Sequence, residues 1–313
     1  MKTVFMGTPD FAVHVLKALC EAGHDVCGVI TQPDRPRGRK KEVTPGPVCE
    51  EALRRKIRIF QPEKVRHNAE LISCIREMKP DVIVVAAFGQ ILPQEFLDIP
   101  KYGCLNVHAS LLPAYRGAAP IQHAILDNCE KTGVTIMRMN AGLDTGDIVS
   151  AREVPVRPDE TGGSLFDRLA ACGAELLIET LPSVEDGTAV YTPQPEESPT
   201  PYASMISRES GCIDWSEEAT QIERLVRAMN PWPAAWTVLD GKTLKIWHAG
   251  VEKPDLEGEE GKTGFIVRQD ARGLYVQTGR GILVLDEVQL EGRRRMSAAE
   301  FLRGYVVRNP RLS

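Results

Sequence analysis

Short apolar runs alternate with helical stripes along the first ~185 residues. Residues 2–6, KTVFM, have the composition of a short buried strand. Thr8 and Pro9 then read as a helix start, with threonine at the N-cap and proline in the first helical position. Phe11, Val15, Leu16 and Leu19 follow at helical spacing, and Gly23 ends the helix. Residues 25–31, DVCGVIT, form the next predicted strand. Strand, helix and strand in so short a span make a βαβ unit, which implies a parallel sheet. Further strands are expected at 82–88, 103–108 and 133–139, and helices at 118–126 and 164–181. The expected fold class is therefore α/β, with a doubly wound parallel sheet in the N-terminal part.

The pattern changes at 191–200, YTPQPEESPT, where three of ten residues are proline and few are apolar. This stretch reads as an extended connector. One more helix is expected at 220–229. Then come short runs rich in β-branched and aromatic residues, TLKIWHAGV, TGFIVRQD, GLYVQTG and GILVLDEVQL, separated by glycine-containing turns. Regularly spaced short strands predict a small barrel or sandwich.

Composition narrows the class without deciding it. The 313 residues are 42% apolar and 26% charged, which suits a folded protein of two domains and argues against global disorder. The net charge of −5 means that any nucleic acid would be held by local basic patches. No two of the eight cysteines are spaced C-x-x-C, so no zinc or redox motif is visible, and they read as reduced residues in a reducing compartment. No run is apolar and long enough for a membrane span, and the N-terminus does not read as a signal peptide. A cytoplasmic location, with no membrane partner and no metal, is expected.

The densest chemical signal is GCLNVHASLLPAYRGAAPIQ at 103–122. Asn106 and His108 lie two apart on a predicted strand and so share a face. They sit near its carboxyl end, where open α/β sheets bind ligands. Downstream, AGLDTGDI at 141–148 sets Asp144 and Asp147 among glycines. Asp147 reads as a possible turn residue and is left outside the candidate set.

N-x-H-x-S-L-L-P followed by L-D-x-G-x-I resembles the signature of the folate-dependent formyltransferases, whose substrates include sugar nucleotides and methionyl-tRNA. The resemblance implies that Asn106, His108 and Asp144 are catalytic. It implies that Ser110, Leu111, Leu112 and Pro113 form part of a folate-binding wall. The run at 84–93, VVAAFGQILP, is similar to the family's pterin-binding segment, which makes Phe88, Gln90, Ile91 and Leu92 cofactor candidates. The co-substrate expected from the resemblance is 10-formyltetrahydrofolate. Such chemistry needs these groups. An amine attacking a formyl carbon generates a tetrahedral species with a developing oxyanion, which an amide donor and a protonated imidazole can stabilise. A carboxylate beside the imidazole favours its protonated form and can assist proton transfer.

The segment TQPDRPRGRKKEV carries Arg35, Arg37, Arg39, Lys40 and Lys41. Five cations in seven residues, with proline and glycine among them, suggest a mobile cationic arm. The segment is similar to a loop that reaches the tRNA acceptor stem in family members acting on methionyl-tRNA. RGAAPIQ at 116–122 and NPWP at 230–233 extend the resemblance over essentially the whole chain. It implies a Rossmann-like catalytic domain at 1–189, a linker at 190–206 and a C-terminal OB-like β-barrel domain at 207–313 that helps to bind tRNA. Residues 261–313 hold ten Lys/Arg against five acids, a local excess suited to RNA. The expected partner is initiator methionyl-tRNA, and a monomer is expected.

Rival readings make distinct demands. A sugar-nucleotide N-formyltransferase would share the triad but not need the basic loop. A nicotinamide-dependent oxidoreductase would need a G-x-G-x-x-G turn, where this chain has MGTPDF. A non-catalytic RNA-binding module would leave the Asn–His–Asp group idle. A hydrolase releasing formate from the same folate would not need a cationic arm.

Overall fold

The structure is a computed structural model that describes residues 1–37, 42–257 and 261–313. The chain packs as two compact units. One comprises Met1–Pro120, Lys131–Pro155 and Phe166–Ser204; the other comprises Ile121–Glu130, Val156–Leu165 and Met205–Ser313.

The elements begin with β1 (Lys2–Gly7), α1 (Asp10–Glu21) and β2 (Asp25–Ile30). A two-stranded hairpin, β3 (Arg35–Arg37) and β4 (Glu42–Thr44), precedes α2 (Pro47–Arg54) and β5 (Ile59–Phe60). Then come α3 (Ala69–Met78), β6 (Val82–Ala86), α4 (Gln94–Leu97) and β7 (Cys104–His108). α5 (Pro120–Leu126), β8 (Lys131–Arg138), β9 (Asp147–Pro155) and α6 (Gly162–Asp186) complete this stretch.

The seven-stranded sheet has the order β5-β2-β1-β6-β7-β8-β9. It is parallel from β5 to β7, as the βαβ pattern predicts, and antiparallel at β7/β8 and β8/β9. The β8/β9 reversal has a simple cause: residues 139–146 are too few for a crossover, which needs a dozen or more. β9 escapes sequence reading because it is an edge strand with only one buried residue, Val154, and so carries no clear alternation. The sheet core is made by Val4, Met6, Ile30, Ile83 and Val85, covered by Ile72, Ile75 and Phe96. The helix start also differs from expectation. Pro9, not Thr8, is the N-cap of α1, and the Thr8 hydroxyl instead accepts from the Gln32 backbone N–H at 3.4 Å.

The second unit contains α7 (Ala219–Ala228), β10 (Ala235–Leu239), β11 (Lys242–Glu257) and β12 (Ile266–Gln269). β13 (Leu274–Gln277), β14 (Arg280–Leu290), β15 (Met296–Ser297) and α8 (Ala298–Gly304) follow. The strands run antiparallel in the order β10-β11-β14-β13-β12, with β15 beside β14. Residues 310–313 join the two outer strands. Pro310 O accepts from Ile266 N–H and Leu312 N–H donates to Gly264 O, while Ser313 and Val238 exchange backbone hydrogen bonds. The tail thus acts as the closing stave of a small barrel, filled by Leu244, Ile246, Leu274, Val276, Leu283 and Leu285 and capped by Ile222 and Val226 of α7.

Among the buried charges, Glu51 on α2 is 7% exposed and is clasped by Arg54 and Arg55. Hydrogen bonds from Arg54 and Arg55 hold its carboxyl down to about 2. A carboxyl depressed in the folded state stabilises it above the ordinary carboxylate range, and this contribution is lost as pH falls toward about 2. Glu51→Gln should therefore lower the unfolding free energy by about 1–2 kcal/mol at neutral pH. The deficit should shrink as urea titrations are moved to acid pH; a deficit independent of pH would show that the ion cluster is not its source.

Candidate active site

β7 runs Cys-Leu-Asn-Val-His between β6 and β8. Leu105 and Val107 are buried in the sheet, so Asn106 and His108 share the opposite face. Asn106 is paired in register with Val85 of β6 and Met137 of β8. It is half-buried, and among the described residues its amide makes no hydrogen bond, so both N–H groups remain available to donate.

His108 is 6% exposed. Its Nε2 lies 3.1 Å from the Tyr115 carbonyl oxygen. A carbonyl only accepts, so Nε2 carries a hydrogen and the ring is oriented. Nδ1 then faces the Asp144 carboxylate, with Oδ1 at 3.9 Å. That separation is too long for a hydrogen bond and leaves space between the two groups.

Asp144 lies in the β8–β9 connection. Because β8 runs antiparallel to β7, this loop starts beside the far end of β7, with Met139 N–H bonded to Cys104 O, and must fold back to reach His108. Asp144 has φ +52, a left-handed conformation that costs an L-residue free energy unless its surroundings hold it. They do. The Gly117 backbone N–H donates to Asp144 Oδ2 at 2.9 Å. Gln194 Nε2 donates to the carbonyls of Asp144 at 3.0 Å and of Gly146 at 2.6 Å. Gln194 Oε1 accepts from Nε and Nη2 of Arg116, at 3.1 and 2.9 Å. Tyr202 lies against Gly117, and burial, with the nearby Asp144 carboxylate, pushes its phenol up.

The S-L-L-P segment is a braced turn. Ser110 is fully buried and its hydroxyl donates to Ala114 O, while Thr135 Oγ1 donates to Ser110 O and accepts from Leu112 N–H. Leu112 is buried, and Leu111 packs on Gly133. Pro113 is half-buried and its carbonyl accepts from Ser198. Ser110 and Leu112 therefore support the turn from within.

A cleft of about 890 Å³ opens beyond the carboxyl ends of β1, β2 and β6, lined by Thr8, Gln32, Arg35, Phe88, Gly89 and Ile91 among others. It lies at the crevice between β1 and β6, where the strand order reverses. Of the segment after β6, Phe88 and Leu92 are 3% exposed and belong to the core cluster. Ile91 is 69% exposed. The Gln90 side chain binds protein: Oε1 accepts from Val65 N–H and Nε2 donates to Glu63 O. That amide ties the 63–65 segment down and is occupied by it. Ala87 and Gly89 both have positive φ, which ends β6 two residues before the expected Phe88 and turns the backbone at the cleft.

In the basic segment, Arg35 and Arg37 lie on β3 of the hairpin, paired with Thr44 and Glu42. Arg39, Lys40 and Lys41 lie outside the described residues. In the second unit, Arg268, Arg272, Arg280, Arg294 and Arg295 each sit in an ion pair with a carboxylate of the same unit. The pairs of Arg272 with Glu252 and of Arg280 with Glu218 draw on acids outside 261–313, so these two reduce the excess counted from sequence.

A family described as formyl transferase matches residues 1–181, and its C-terminal domain matches 205–306. A methionyl-tRNA formyltransferase from Agathobacter rectalis is 54% identical over 97% of this chain and 96% of its own length. One from Bacillus subtilis is 49% identical over 97% and 94%. The chain belongs to the methionyl-tRNA formyltransferase family. As a formyltransferase it shares its fold with more distant enzymes. An N-formyltransferase from Helicobacter canadensis, solved with folinic acid and dTDP-3-aminofucose, superposes with TM-score 0.67 at 18% identity, covering 91% of this chain and 99% of that one. HypX from Aquifex aeolicus, solved with tetrahydrofolic acid, gives 0.60 at 20% identity over 96% of this chain and 47% of that one. No helix among the described residues of this formyltransferase is long and apolar enough to cross a membrane.

Gly117 is a tight point of the site. Its φ is +130, and a Cβ there would lie 2.5 Å from the Ala203 carbonyl oxygen and 2.8 Å from the Tyr202 ring. Gly117→Ala should therefore cost about 1–3 kcal/mol of stability, read as a lower urea midpoint. An unchanged midpoint would mean that the 202–203 segment yields freely.

Proposed function

We propose that this formyltransferase moves the formyl group of 10-formyltetrahydrofolate to the α-amine of methionine carried by initiator tRNA, with Asn106, His108 and Asp144 as the catalytic residues. The observation that carries the catalytic assignment is the juxtaposition of an unengaged Asn106 amide with an oriented His108 ring whose Nδ1 faces Asp144 across 3.9 Å. Near-full-length relatives that bear this substrate in their name support the rest.

In this reading the neutral amine attacks the formyl carbon, forming a C–N bond and a tetrahedral oxyanion. The Asn106 amide and protonated His108 Nδ1 donate to that oxygen. The Asp144 carboxylate accepts the proton the amine loses. As the intermediate collapses, the bond from the formyl carbon to the folate nitrogen breaks. The proton is delivered to that nitrogen, and tetrahydrofolate leaves. The cleft beyond β1 and β6, at about 890 Å³, lies within the range of pockets that hold drug-sized ligands. It offers the folate turned backbone at 87–90 and the exposed Ile91. Phe88 and Leu92 would shape its floor from the core, and the backbone of Ser110–Pro113 would form the wall toward Asn106 and His108.

We assign the RNA contacts to the basic hairpin, through Arg35, Arg37, Arg39, Lys40 and Lys41, and to the domain at 207–313. The residues flanking Arg39, Lys40 and Lys41 pair as β3 and β4.

The decisive assay incubates the protein with 10-formyltetrahydrofolate and charged initiator tRNA and looks for formylmethionine, with an amino-sugar nucleotide as the competing acceptor. Formylation of the sugar alone would overturn the reading. Asn106→Ala, His108→Ala and Asp144→Ala should each lower kcat by at least about 10²-fold with the fold intact. Near-normal turnover would remove that residue from the catalytic set. Replacing all five hairpin cations by alanine should flatten the log–log dependence of tRNA affinity on salt. Equal slopes would mean that the hairpin touches no phosphate.

A further inference from the structure

The stretch that reads as a connector in sequence is bound along the catalytic unit. Ile148 and Thr192 exchange backbone hydrogen bonds, Ser198 donates to Pro113 O, Tyr115 N–H donates to Thr200 Oγ1, and Ala203 exchanges backbone hydrogen bonds with Arg116 and Ala118. Residues 192–203 are thus a strap over the site. Its Gln194 enters a closed circuit. Nε2 donates to the Asp144 and Gly146 carbonyls; Oε1 accepts two hydrogen bonds from Arg116; and the next residue, Gly117, donates its N–H to Asp144 Oδ2. Arg116 is 8% exposed and also donates to the carbonyls of Pro195 and Glu196, so it is held from the strap side as well.

We infer that Gln194 is a positioning residue for formyl transfer: the strap, through Gln194 and Arg116, holds Asp144 in its left-handed conformation with Oδ1 toward His108. This rests on the catalytic reading of Asp144. The physical argument is that three constraints meet on one strained residue. The backbone carbonyl is fixed by Gln194 and the carboxylate by Gly117. The carbonyl two residues on, at Gly146, is fixed by the same Gln194 nitrogen. Neither the Asp144 peptide nor its side chain can rotate without breaking a bond in the circuit. The amide is suited to the task because it donates at one end and accepts at the other. A carboxylate would set an oxygen against two carbonyl oxygens, and an apolar side chain would leave the Arg116 guanidinium without its partner.

The experiment measures formyl transfer to charged tRNA for Gln194→Leu and Gln194→Glu, each in the wild-type chain and in Asp144→Asn. Thermal melting selects the variants that fold. Gln194→Glu keeps the acceptor for Arg116 and replaces the donor with a charged oxygen facing the Asp144 and Gly146 carbonyls, so it tests the circuit even if Gln194→Leu unfolds. Misplacement of a reacting group by about 1 Å costs up to about 10²-fold in rate. The expected result is a fall in kcat of about 10- to 100-fold, with KM for tRNA and affinity for folate changed by less than about twofold. In the Asp144→Asn background the same substitutions should change kcat by less than about twofold, because the residue they position no longer acts. Wild-type kcat in a folded Gln194 variant, with Asp144→Asn strongly impaired, would overturn this inference and leave the catalytic assignment standing. Equal losses in both backgrounds would also overturn it, since Gln194 would then act independently of Asp144. Near-normal activity of Asp144→Asn would defeat the catalytic assignment itself, and this inference with it.

Discussion

A carboxylate in a left-handed turn has to be held from more than one direction, and Asp144 is held by Gly117 and Gln194, partners drawn from two separate stretches of chain. Much of the first unit's architecture serves that requirement. The sheet turns antiparallel after β7, which places the start of the Asp144 loop at the wrong end of the strand and forces it to return. The return is stabilised by the strap, and the strap in turn braces the Ser110–Pro113 turn through Ser198. His108, bonded to Tyr115 O on that same turn, is oriented by the structure that confines its carboxylate neighbour. The acid, the imidazole and the turn between them form one mechanical assembly.

The legible parts of this assembly are those with local periodicity. Asn106 and His108 could be assigned to one face because a strand alternates, and the βαβ pattern foretells the parallel half of the sheet. Asp144 stands out as a motif residue, but nothing local shows why it stays where it is. Gln194 is fifty residues away in a stretch whose three prolines suggest a passive connector. Proline does not exclude binding: it fixes an extended backbone at low entropic cost, which suits a strap. A long-range polar bond leaves no periodic trace, so no reading of 191–200 alone would find it. β9 was hidden for a related reason, since a solvent-facing edge strand needs no apolar alternation.

The candidate folate segment illustrates a second limit. VVAAFGQILP is apolar enough to be core or ligand wall, and the structure divides it between the core and the lining of a cleft. Phe88 and Leu92 face the core, Ile91 faces outward, and Gln90 clamps the 63–65 segment. Which side each residue serves depends on the positive φ at Ala87 and Gly89, and only the glycine announces itself in sequence. Charge counting fails in a comparable way. Ten cations against five acids at 261–313 look like an RNA surface, but Arg272 and Arg280 are paired with carboxylates from outside that span, and a paired guanidinium gives little net field.

The interleaving of the two units bears on how such chains can be recombined. The second unit draws Ile121–Glu130 and Val156–Leu165 from within the sequence span of the first, and the first extends to Ser204. A crossover near residue 190, where composition suggests a seam, would inherit Asp144 from one parent and Gln194 from the other. Chimeras joined there would be compatible only when both parents share the same strap chemistry. A junction after Ser204 keeps the catalytic circuit from a single lineage, although the two inserted segments still come from the first parent. Exchange of the second unit between such enzymes is therefore constrained less by the barrel than by a dozen residues that look, in sequence, like the natural place to cut.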